Sequence, residues 1–408
     1  MLIYLCKVLY DCYSESMDEK LREVCKLLRY DILTATTAAG NGHPTSSLSA
    51  VELMATLFFG GFFHTNLNDP HDPTNDKLIF SKGHAAPLLY AMYHVAGVLK
   101  YEELLKLRTF ESNLEGHPTP NFPYVDVATG SLGQGLSIGV GMALGINLKI
   151  ENLKLKIAQT PKVFVLVGDS ELAEGQNWEA MELASYYKLG NLVAILDMNR
   201  LGQRGETMAG WNADVYAKRA EAFGWESIII KDGHDIEEIY KTFNHVGTGP
   251  YIATLDGAQR DLSLHSQTIS HQGINGAQRE HSVQKPVFII AHTIKGKGVS
   301  FLENQDGWHG KAVPKDMLEK ALKEIGDVDR NLRMSVQKNQ LTSETLKKSD
   351  KSVLSHAEAR SKILDEASSE CEKNDASARC FPPENGVSMT NDDKKTEVLD
   401  KLKSYFSP

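Results

Sequence analysis

The sequence predicts an α/β fold in which helices cover both faces of a parallel sheet. Residues 163–167 and 192–196 are continuous apolar runs, which are typical of strands buried on both sides. The segment between them, residues 177–188, is predicted to be a helix. A strand, a helix and a second strand in this order form the crossover unit of a parallel sheet, so we expect a right-handed crossover here.

Further elements are predicted on either side of this unit. Residues 18–38 place their apolar side chains on one helical face, and residues 78–80 form a short strand that ends at a Ser-Lys-Gly-His sequence. Residues 227–230 and 287–291 are predicted to be two more strands. A helix is expected near residues 236–245, between these strands.

The composition is typical of a globular protein and excludes several classes of function. Lys plus Arg is 44 and Asp plus Glu is 53, which gives a formal net charge of -9. This balance argues against a nucleic-acid partner, because nucleic-acid binders usually carry a basic surplus. No apolar run reaches the roughly 18 residues of a membrane-spanning helix, so no membrane partner is expected. The 5 cysteines form no CxxC or His/Cys cluster, which indicates a reducing compartment, the cytoplasm.

The 408 residues divide into three predicted parts. Residues 1–17 are interpreted as a leader extension, because charged residues interrupt the apolar run that a secretory signal needs. Residues 18–325 are predicted to fold as one domain with a polar insertion at 250–284, where the sequence Gly-Ala-Gln-Arg occurs twice. Residues 326–408 are predicted to be a disordered tail, because their composition is too polar for an independent core.

A pair of polar residues predicts a metal site at one edge of the sheet. Asp169 directly follows the strand 163–167, and Asn199 follows the strand 192–196. The carboxyl ends of parallel strands lie at the edge where α/β sheets bind ligands. Asp and Asn offer the hard oxygen ligands that Mg²⁺ or Ca²⁺ prefers, and Mg²⁺ commonly adds phosphate oxygens. The alternative is an ordinary β-turn, since Gly-Asp-Ser is a common turn sequence.

A glycine-rich segment predicts contact with phosphate. Residues 129–135, Thr-Gly-Ser-Leu-Gly-Gln-Gly, precede a helix, and such loops let backbone N–H groups approach an anion. Their spacing matches neither GxGxxG nor a Walker loop. For Gly139, Gly141 and Gly145, which follow, we favour the alternative that small residues allow close helix packing.

Histidines beside glycine or proline predict a polar active site. His43, His84, His117 and His309 all have such neighbours, which leave the ring nitrogens accessible for proton transfer. One histidine of this kind more often has a surface or capping role, and it is the set of four that favours a site. The remaining histidines that we interpret as structural are His94, His234, His245, His292 and His356.

These segments together resemble the N-terminal half of transketolases, which are thiamine diphosphate enzymes. The resemblance runs in family order over about residues 18–325, apart from the insertion. The sequences SKGH, TGSLGQG and WHGK are more specific than the Gly-Asp motif, which thiamine diphosphate enzymes share. The segments that carry the resemblance are TTAAGNGHPTSSLSAVELM (36–54), FSKGHAAPLLYA (80–91), EGHP (115–118), DVATGSLGQG (126–135), GDSELAEGQNWEAM (168–181), LVAILDMNRLGQRG (192–205), AFGWESIIIKDGHD (222–235), AHTIKGKGVSFLEN (291–304) and WHGKAVP (308–314).

The resemblance implies a thiamine-diphosphate-binding fold and a role for each matched residue. Mg²⁺, or another divalent cation such as Ca²⁺, would be held by Asp169, Asn199 and the Leu201 carbonyl. Catalytic contacts to substrate hydroxyls and the carbonyl would come from His43, His117 and His309. Thiamine diphosphate would be lined by Ser46, His84, Gly130, Ser131, Leu132, Gly168, Ser170, Asn199 and Lys295. Glu174 would join a carboxylate network between protomers.

The activity that the resemblance implies is transfer of a two-carbon ketol unit from a ketose phosphate to an aldose phosphate. Transketolases continue into a second domain that binds the pyrimidine ring of the cofactor, and residues 326–408 do not resemble it. Three alternatives therefore stay open: a split enzyme whose second half is a separate chain, a catalytically inactive cofactor-binding protein, and a gene-model fragment. The implied partners are sugar phosphates and either a second copy or a pyrimidine-binding chain.

Overall fold

A five-stranded parallel sheet forms the centre of the molecule. The computed structural model describes residues 2–152, 160–247 and 285–338, with the backbone alone for residues 2–16 and 152. The strands follow the order β1-β2-β3-β5-β4, and every neighbouring pair is parallel. Their bounds are β1 (Lys77–Phe80), β2 (Val163–Gly168), β3 (Leu192–Met198), β4 (Glu226–Ile230) and β5 (Val287–His292). All five predicted strands are confirmed, and each is one or two residues longer than predicted.

Helices connect the strands and cover the sheet. The predicted helix 18–38 is the C-terminal part of a longer helix, which begins at residue 2. The interpretation of residues 1–17 as a leader extension stays a prediction. The predicted helices at 177–188 and 236–245 are confirmed as α7 and α9. The helix bounds are α1 (Leu2–Ala39), α2 (Pro44–Leu48), α3 (Val51–Phe59), α4 (Ala86–Val95), α5 (Tyr101–Leu104), α6 (Gln134–Asn152), α7 (Gln176–Tyr186), α8 (Ala213–Ala222), α9 (Ile236–His245) and α10 (Lys315–Ile325).

Each face of the sheet carries its own apolar core, which confirms the predicted two-sided burial. Successive side chains of a strand point to opposite faces. In β2, Phe164 and Leu166 join the core formed with α1, α3, α4 and α9, whereas Val163, Val165 and Val167 join the core formed with α6, α7 and α8. Because apolar side chains and helices bury both faces of the sheet, a strand with polar residues at alternate positions would not be stable here.

The glycines of α6 divide into two kinds. A methyl group at Gly139 would lie 2.6 Å from Val165 Cγ2 on the sheet, so close packing requires glycine there. Among the residues that the structure describes, the same group at Gly141 or Gly145 would meet nothing within 4 Å. The packing explanation is therefore confirmed for Gly139 and wrong for the other two glycines.

The folded part of the chain extends further than predicted. Residues 326–338 pack beside the end of α4, where the Met334 N–H donates to the Val95 carbonyl at 3.0 Å and Val336 is buried. Gln337 forms a parallel bridge with His64. The predicted tail boundary after residue 325 is thus wrong for these residues, because backbone pairing and a few apolar side chains hold them to the domain.

Two predictions concern residues that the structure does not describe. The polar insertion at 250–284 lies outside the described residues. The disordered tail, for residues 339–408, also lies outside them. Among the described residues, no helix is long and apolar enough to cross a membrane.

We expect Gly139→Ala to destabilise the domain and Gly141→Ala to leave it unchanged or slightly more stable. The added methyl at position 139 would overlap a short, rigid valine side chain, and overpacking of this kind costs about 1–3 kcal/mol. At position 141 the methyl meets open space, and alanine exceeds glycine in helix propensity by about 1 kcal/mol. Urea unfolding of both variants measures the difference, and equal midpoints would contradict the packing of α6 on the sheet.

Candidate active site

The carboxyl ends of the strands border a cavity of about 570 Å³. All but two of the predicted catalytic, cofactor-binding and metal-binding residues line it. Ser131 and Glu174 are exposed and do not line it, so their roles stay predictions. The predicted residues that do line the cavity are His43, Ser46, His84, His117, Gly130, Leu132, Gly168, Asp169, Ser170, Asn199, Leu201, Lys295 and His309.

Oxygen atoms suited to a hard cation lie on one side of the cavity. Asp169 follows β2 and is buried, and its carboxylate accepts from the N–H of Ser170 at 2.8 Å and of Arg200 at 2.5 Å. Asn199 follows β3, and its Oδ1 accepts from the Leu201 N–H at 3.2 Å. Both side chains are thus oriented by backbone donors in the loops that leave neighbouring strands, as the sequence predicted from the shared edge.

The electrostatics of Asp169 favour a bound cation. Burial raises its pKa to about 7, and the negative charge of Asp197 adds to the shift. A divalent ion would favour the ionised carboxylate and offset both effects. Among the described residues, no group of three or more His, Cys, Asp or Glu could hold a metal ion. One carboxylate with neutral oxygens instead suits Mg²⁺ completed by phosphate oxygens. The residues present therefore fit the implied metal site.

The glycine-rich segment lines the same cavity and is held by a buried carboxylate. Glu171 accepts from the N–H of Gly133 at 2.7 Å, from the N–H of Gly168 at 3.0 Å and from Ser81 Oγ at 2.5 Å. Gly130 has φ of 138°, and a methyl group there would lie 3.1 Å from the His117 ring. Only glycine allows this close approach of backbone and imidazole.

Four imidazole rings cluster in the cavity. The His43 ring lies 5.0 Å from His84, 4.9 Å from His309 and 6.4 Å from His117, between ring centroids. Burial, together with neighbouring positive groups, lowers the pKa of His43 to about 4 and that of His309 to about 3. Burial also lowers the pKa of His84 and His117. The four rings are therefore neutral at pH 7 and can act as hydrogen-bond donors and acceptors.

Lys295 connects the histidines with the metal-site loop. Its Nζ donates to the carbonyls of Leu201 at 2.8 Å and Gly202 at 2.9 Å, and it lies 3.0 Å from His309 Nδ1. Burial, with the positive charge of Lys82, lowers its pKa to about 8. Lys295 stays mostly protonated at pH 7, so it offers a positive charge to an anionic ligand.

Beneath the cavity lies a buried ion pair that the sequence reasoning missed. Lys82 Nζ contacts Asp197 Oδ2 and also donates to the Ser46 carbonyl at 2.9 Å. Asp197 accepts from Ser49 Oγ at 2.5 Å and from Thr293 Oγ1. A signal was present, because an aspartate that directly follows the apolar run 192–196 and precedes Met198 needs a buried partner if the strand continues through it.

The remaining cavity residues had weaker signals in the sequence. Glu171 follows the Gly-Asp-Ser turn, but nothing in the turn indicates that its carboxylate points back to the glycine-rich segment. Gln203 and Gly310 also line the cavity and were not predicted. Only the path of the chain brings them to the same place.

Three of the histidines interpreted as structural pair with carboxylates away from the cavity. His94 Nδ1 lies 2.6 Å from Asp31, His234 Nδ1 lies 2.8 Å from Glu52, and exposed His245 lies 3.1 Å from Glu226. His292, at the end of β5, does not line the cavity. His356 lies outside the described residues.

Comparison with known sequences places the chain in a family. The sequence model described as "Transketolase, thiamine diphosphate binding domain" matches residues 17–248. The chain belongs to this transketolase family. It is 44% identical to human transketolase over 307 residues, and 40% identical to mouse transketolase-like protein 2 over 315 residues. The first match covers 75% of this chain and 42% of the human protein, and the second covers 76% and 44%. The chain thus spans less than half the length of these relatives.

Solved transketolase structures share the fold. The transketolase of Campylobacter jejuni has a TM-score of 0.64 and 26% sequence identity, and the match covers 95% of this chain and 55% of that one. The transketolase of Leishmania mexicana has a TM-score of 0.63 and 23% sequence identity, and the match covers 86% of this chain and 47% of that one. At this identity the match shows a similar fold and nothing more. The resemblance read from the sequence motifs is therefore confirmed.

We expect the histidine cluster of this transketolase-family chain to reduce stability in acid. The unfolded chain takes up protons on these histidines near pH 6.5, whereas folded His43 and His309 do so only near pH 4 and 3. On these histidines the unfolded state therefore binds more protons in this window, so their contribution lowers the melting temperature as the pH decreases from 6.5 to 4.

The matched variants are His43→Gln with His309→Gln, and His71→Gln on an exposed loop. The double variant should show a shallower fall than the unchanged protein, and the His71 variant should show the same fall. Asp169, whose pKa is raised, contributes with the opposite sign in every variant and cancels in the comparison. If the melting temperature falls equally with decreasing pH in all three proteins, this result would contradict the neutral, buried state of the cluster.

Proposed function

We propose that the cavity holds the diphosphate end of thiamine diphosphate together with a divalent cation, Mg²⁺ or Ca²⁺. The observation that supports this most is the convergence, in one cavity, of the oxygen set of Asp169, Asn199 and Leu201 with the glycine-rich segment and Lys295. A hard cation and a diphosphate are the two charges that such a set accommodates together. The family to which the chain belongs carries the same cofactor in its description.

Each part of the site has a separate task in this proposal. The Asp169 carboxylate, the Asn199 amide oxygen and the Leu201 carbonyl bind the cation. Backbone N–H groups near Gly130 and Leu132, with the ammonium group of Lys295, face the negative diphosphate. Because the cation needs the Leu201 carbonyl, Lys295 would give up its contact with this carbonyl and donate to a phosphate oxygen instead.

The proposed reaction is ketol transfer from a ketose phosphate to an aldose phosphate. Bound thiamine diphosphate supplies the electron sink that carbon–carbon bond cleavage requires. Neutral His43, His117 and His309 hold the substrate hydroxyls and carbonyl and move protons between them. His43 Nδ1 supports this role, because it is buried and has no hydrogen-bond partner among the described residues.

The rest of the proposed reaction centre comes from residues that the comparisons do not match, in this chain or another. The matched segment covers 42% of human transketolase, and we propose that residues outside it supply the pyrimidine-binding part of the site. A homodimer, or a hetero-oligomer with a pyrimidine-binding chain, is the assembly we propose. The cytoplasm is the compartment we propose for it, from the cysteine pattern and the buried, unpaired Cys25.

We expect thiamine diphosphate to bind the 408-residue chain only in the presence of Mg²⁺ or Ca²⁺. In Asp169→Asn the carboxylate charge is lost while the size is kept, and the affinity should fall by at least about tenfold, or about 1.4 kcal/mol. Asp214→Asn, at an exposed position in the first turn of α8, is the matched control and should bind as the unchanged protein does. Titration calorimetry with and without a chelator measures both. Equal affinity in the Asp169 variant would refute the metal site.

We expect the 408-residue polypeptide by itself to show little ketol transfer. Contacts to the cation and the diphosphate act equally before and during the reaction, so they contribute affinity more than rate. The assay measures transfer from a ketose phosphate to an aldose phosphate, with and without an added pyrimidine-binding half. Activity that requires the added half supports the split site. Cofactor binding without activity in either case supports an inactive cofactor-binding protein. Turnover of the chain alone at roughly 1–1000 per second would contradict the need for a second half.

A further inference from the structure

The segment that carries Lys295 is held by contacts to its backbone on both sides. The Ile294 N–H donates to His234 Nε2 at 2.9 Å, and the Lys297 carbonyl accepts from Arg29 Nε at 3.0 Å. Two backbone bonds complete the attachment: the Gly296 N–H donates to the Thr45 carbonyl, and the Lys295 carbonyl accepts from the Asn304 N–H. Residues 294–297 therefore have little freedom to shift.

One buried carboxylate joins the two side chains that make these contacts. Glu52, on α3, lies 2.7 Å from Arg29 Nη2 on α1 and 2.8 Å from His234 Nδ1, in the loop after β4. Arg29 and Glu52 are each only 7% exposed. A single hydrogen-bonded chain thus runs from Ile294 through His234, Glu52 and Arg29 back to Lys297.

The hydrogen bonds fix the protonation of each member. A backbone N–H can only donate, so His234 Nε2 must accept from Ile294 and the ring proton must lie on Nδ1, where it donates to Glu52. Burial alone would raise the pKa of Glu52, but the Arg29 charge and the His234 hydrogen bond outweigh it and lower the pKa to about 2. The chain is therefore an ionised carboxylate between a guanidinium and a neutral imidazole.

The close approach of Arg29 to the turn shows that this arrangement is tightly packed. At Gly298, φ is 96°, and a methyl group would lie 2.6 Å from Arg29 Nε. Arg29, Glu52 and His234 do not line the cavity, and the hydrogen bonds that Arg29 and His234 make with the Lys295 segment go to its backbone. Their effect on a ligand must therefore pass through the position of that segment.

We propose that Glu52, Arg29 and His234 are positioning residues for Lys295. They clamp the backbone before and after it, so that its ammonium group reaches the Leu201 and Gly202 carbonyls and His309. The role assigned to Lys295 as a ligand of the diphosphate rests on the proposed function, whereas the clamp itself does not.

The first test measures the clamp without any ligand. His234→Phe keeps a ring of similar size but removes the acceptor for the Ile294 amide. Hydrogen exchange of that amide should become at least about tenfold faster, while the amides of Ile289 and Ile290 in β5 stay protected. The matched control is His245→Phe, which removes the exposed partner of Glu226 and should change neither. An unchanged exchange rate at Ile294, or equal acceleration throughout β5, would overturn the proposal.

The second test asks whether the clamp acts through Lys295. Thiamine diphosphate affinity with Mg²⁺ is measured for His234→Phe, Lys295→Met and the double variant. We expect His234→Phe to weaken binding at least about fivefold in the unchanged background and not at all in the Lys295→Met background. Equal weakening in both backgrounds would mean a general structural effect and would overturn the positioning role. His234→Gln, whose amide offers both a donor and an acceptor, should restore part of the affinity and part of the Ile294 protection.

The two tests separate this proposal from the proposed function. If the unchanged protein binds no thiamine diphosphate, the proposed function fails, and the exchange at Ile294 alone decides whether the clamp exists. If the cofactor binds and exchange at Ile294 is unaffected by His234→Phe, the function stands and the clamp is refuted.

Discussion

The buried Lys82–Asp197 ion pair is the interaction on which the architecture of the site depends. Lys82 follows β1, Asp197 lies in β3, and β2 runs between them. Through Ser49 and Thr293 the same carboxylate also binds the segment between α2 and α3 and the end of β5. Removing one partner of such a pair leaves an uncompensated buried charge, which costs about 3–5 kcal/mol. This pair therefore fixes the relative positions of the segments that surround the cavity.

The charges around the cavity explain its chemistry. Asp169, Glu171 and Asp197 are negative in the ionised state, and Lys82 and Lys295 are positive, so charges of both signs lie close together around the cavity. Burial and these lysines keep His309 neutral, while burial and Asp197 raise the pKa of Asp169. A cation and a diphosphate would enter as a nearly neutral pair and would each find the opposite charge. An isolated ion of either sign would be less well accommodated.

The fold places rigid elements behind each of these groups. Glu171 links the glycine-rich segment to the end of β2, and the Glu52 chain links the Lys295 segment to α1 and α3. The segment that matches human transketolase covers 42% of that protein. The described residues thus form a rigidly held cavity, and the function proposed for it assigns cofactor affinity to these residues more than rate.

The sequence by itself determined the fold class, the five strands and most of the cavity residues. Apolar runs without alternation are sufficient to predict two-sided burial, and Asp169 and Asn199 must share an edge once both strands are parallel. Only the tertiary structure revealed the roles of Lys82, Glu171 and Glu52, because their partners are distant in the sequence and no local pattern encodes a long-range contact. It also decided that residues 326–338 belong to the domain, since the bridge of Gln337 to His64 depends on a neighbour that composition cannot supply.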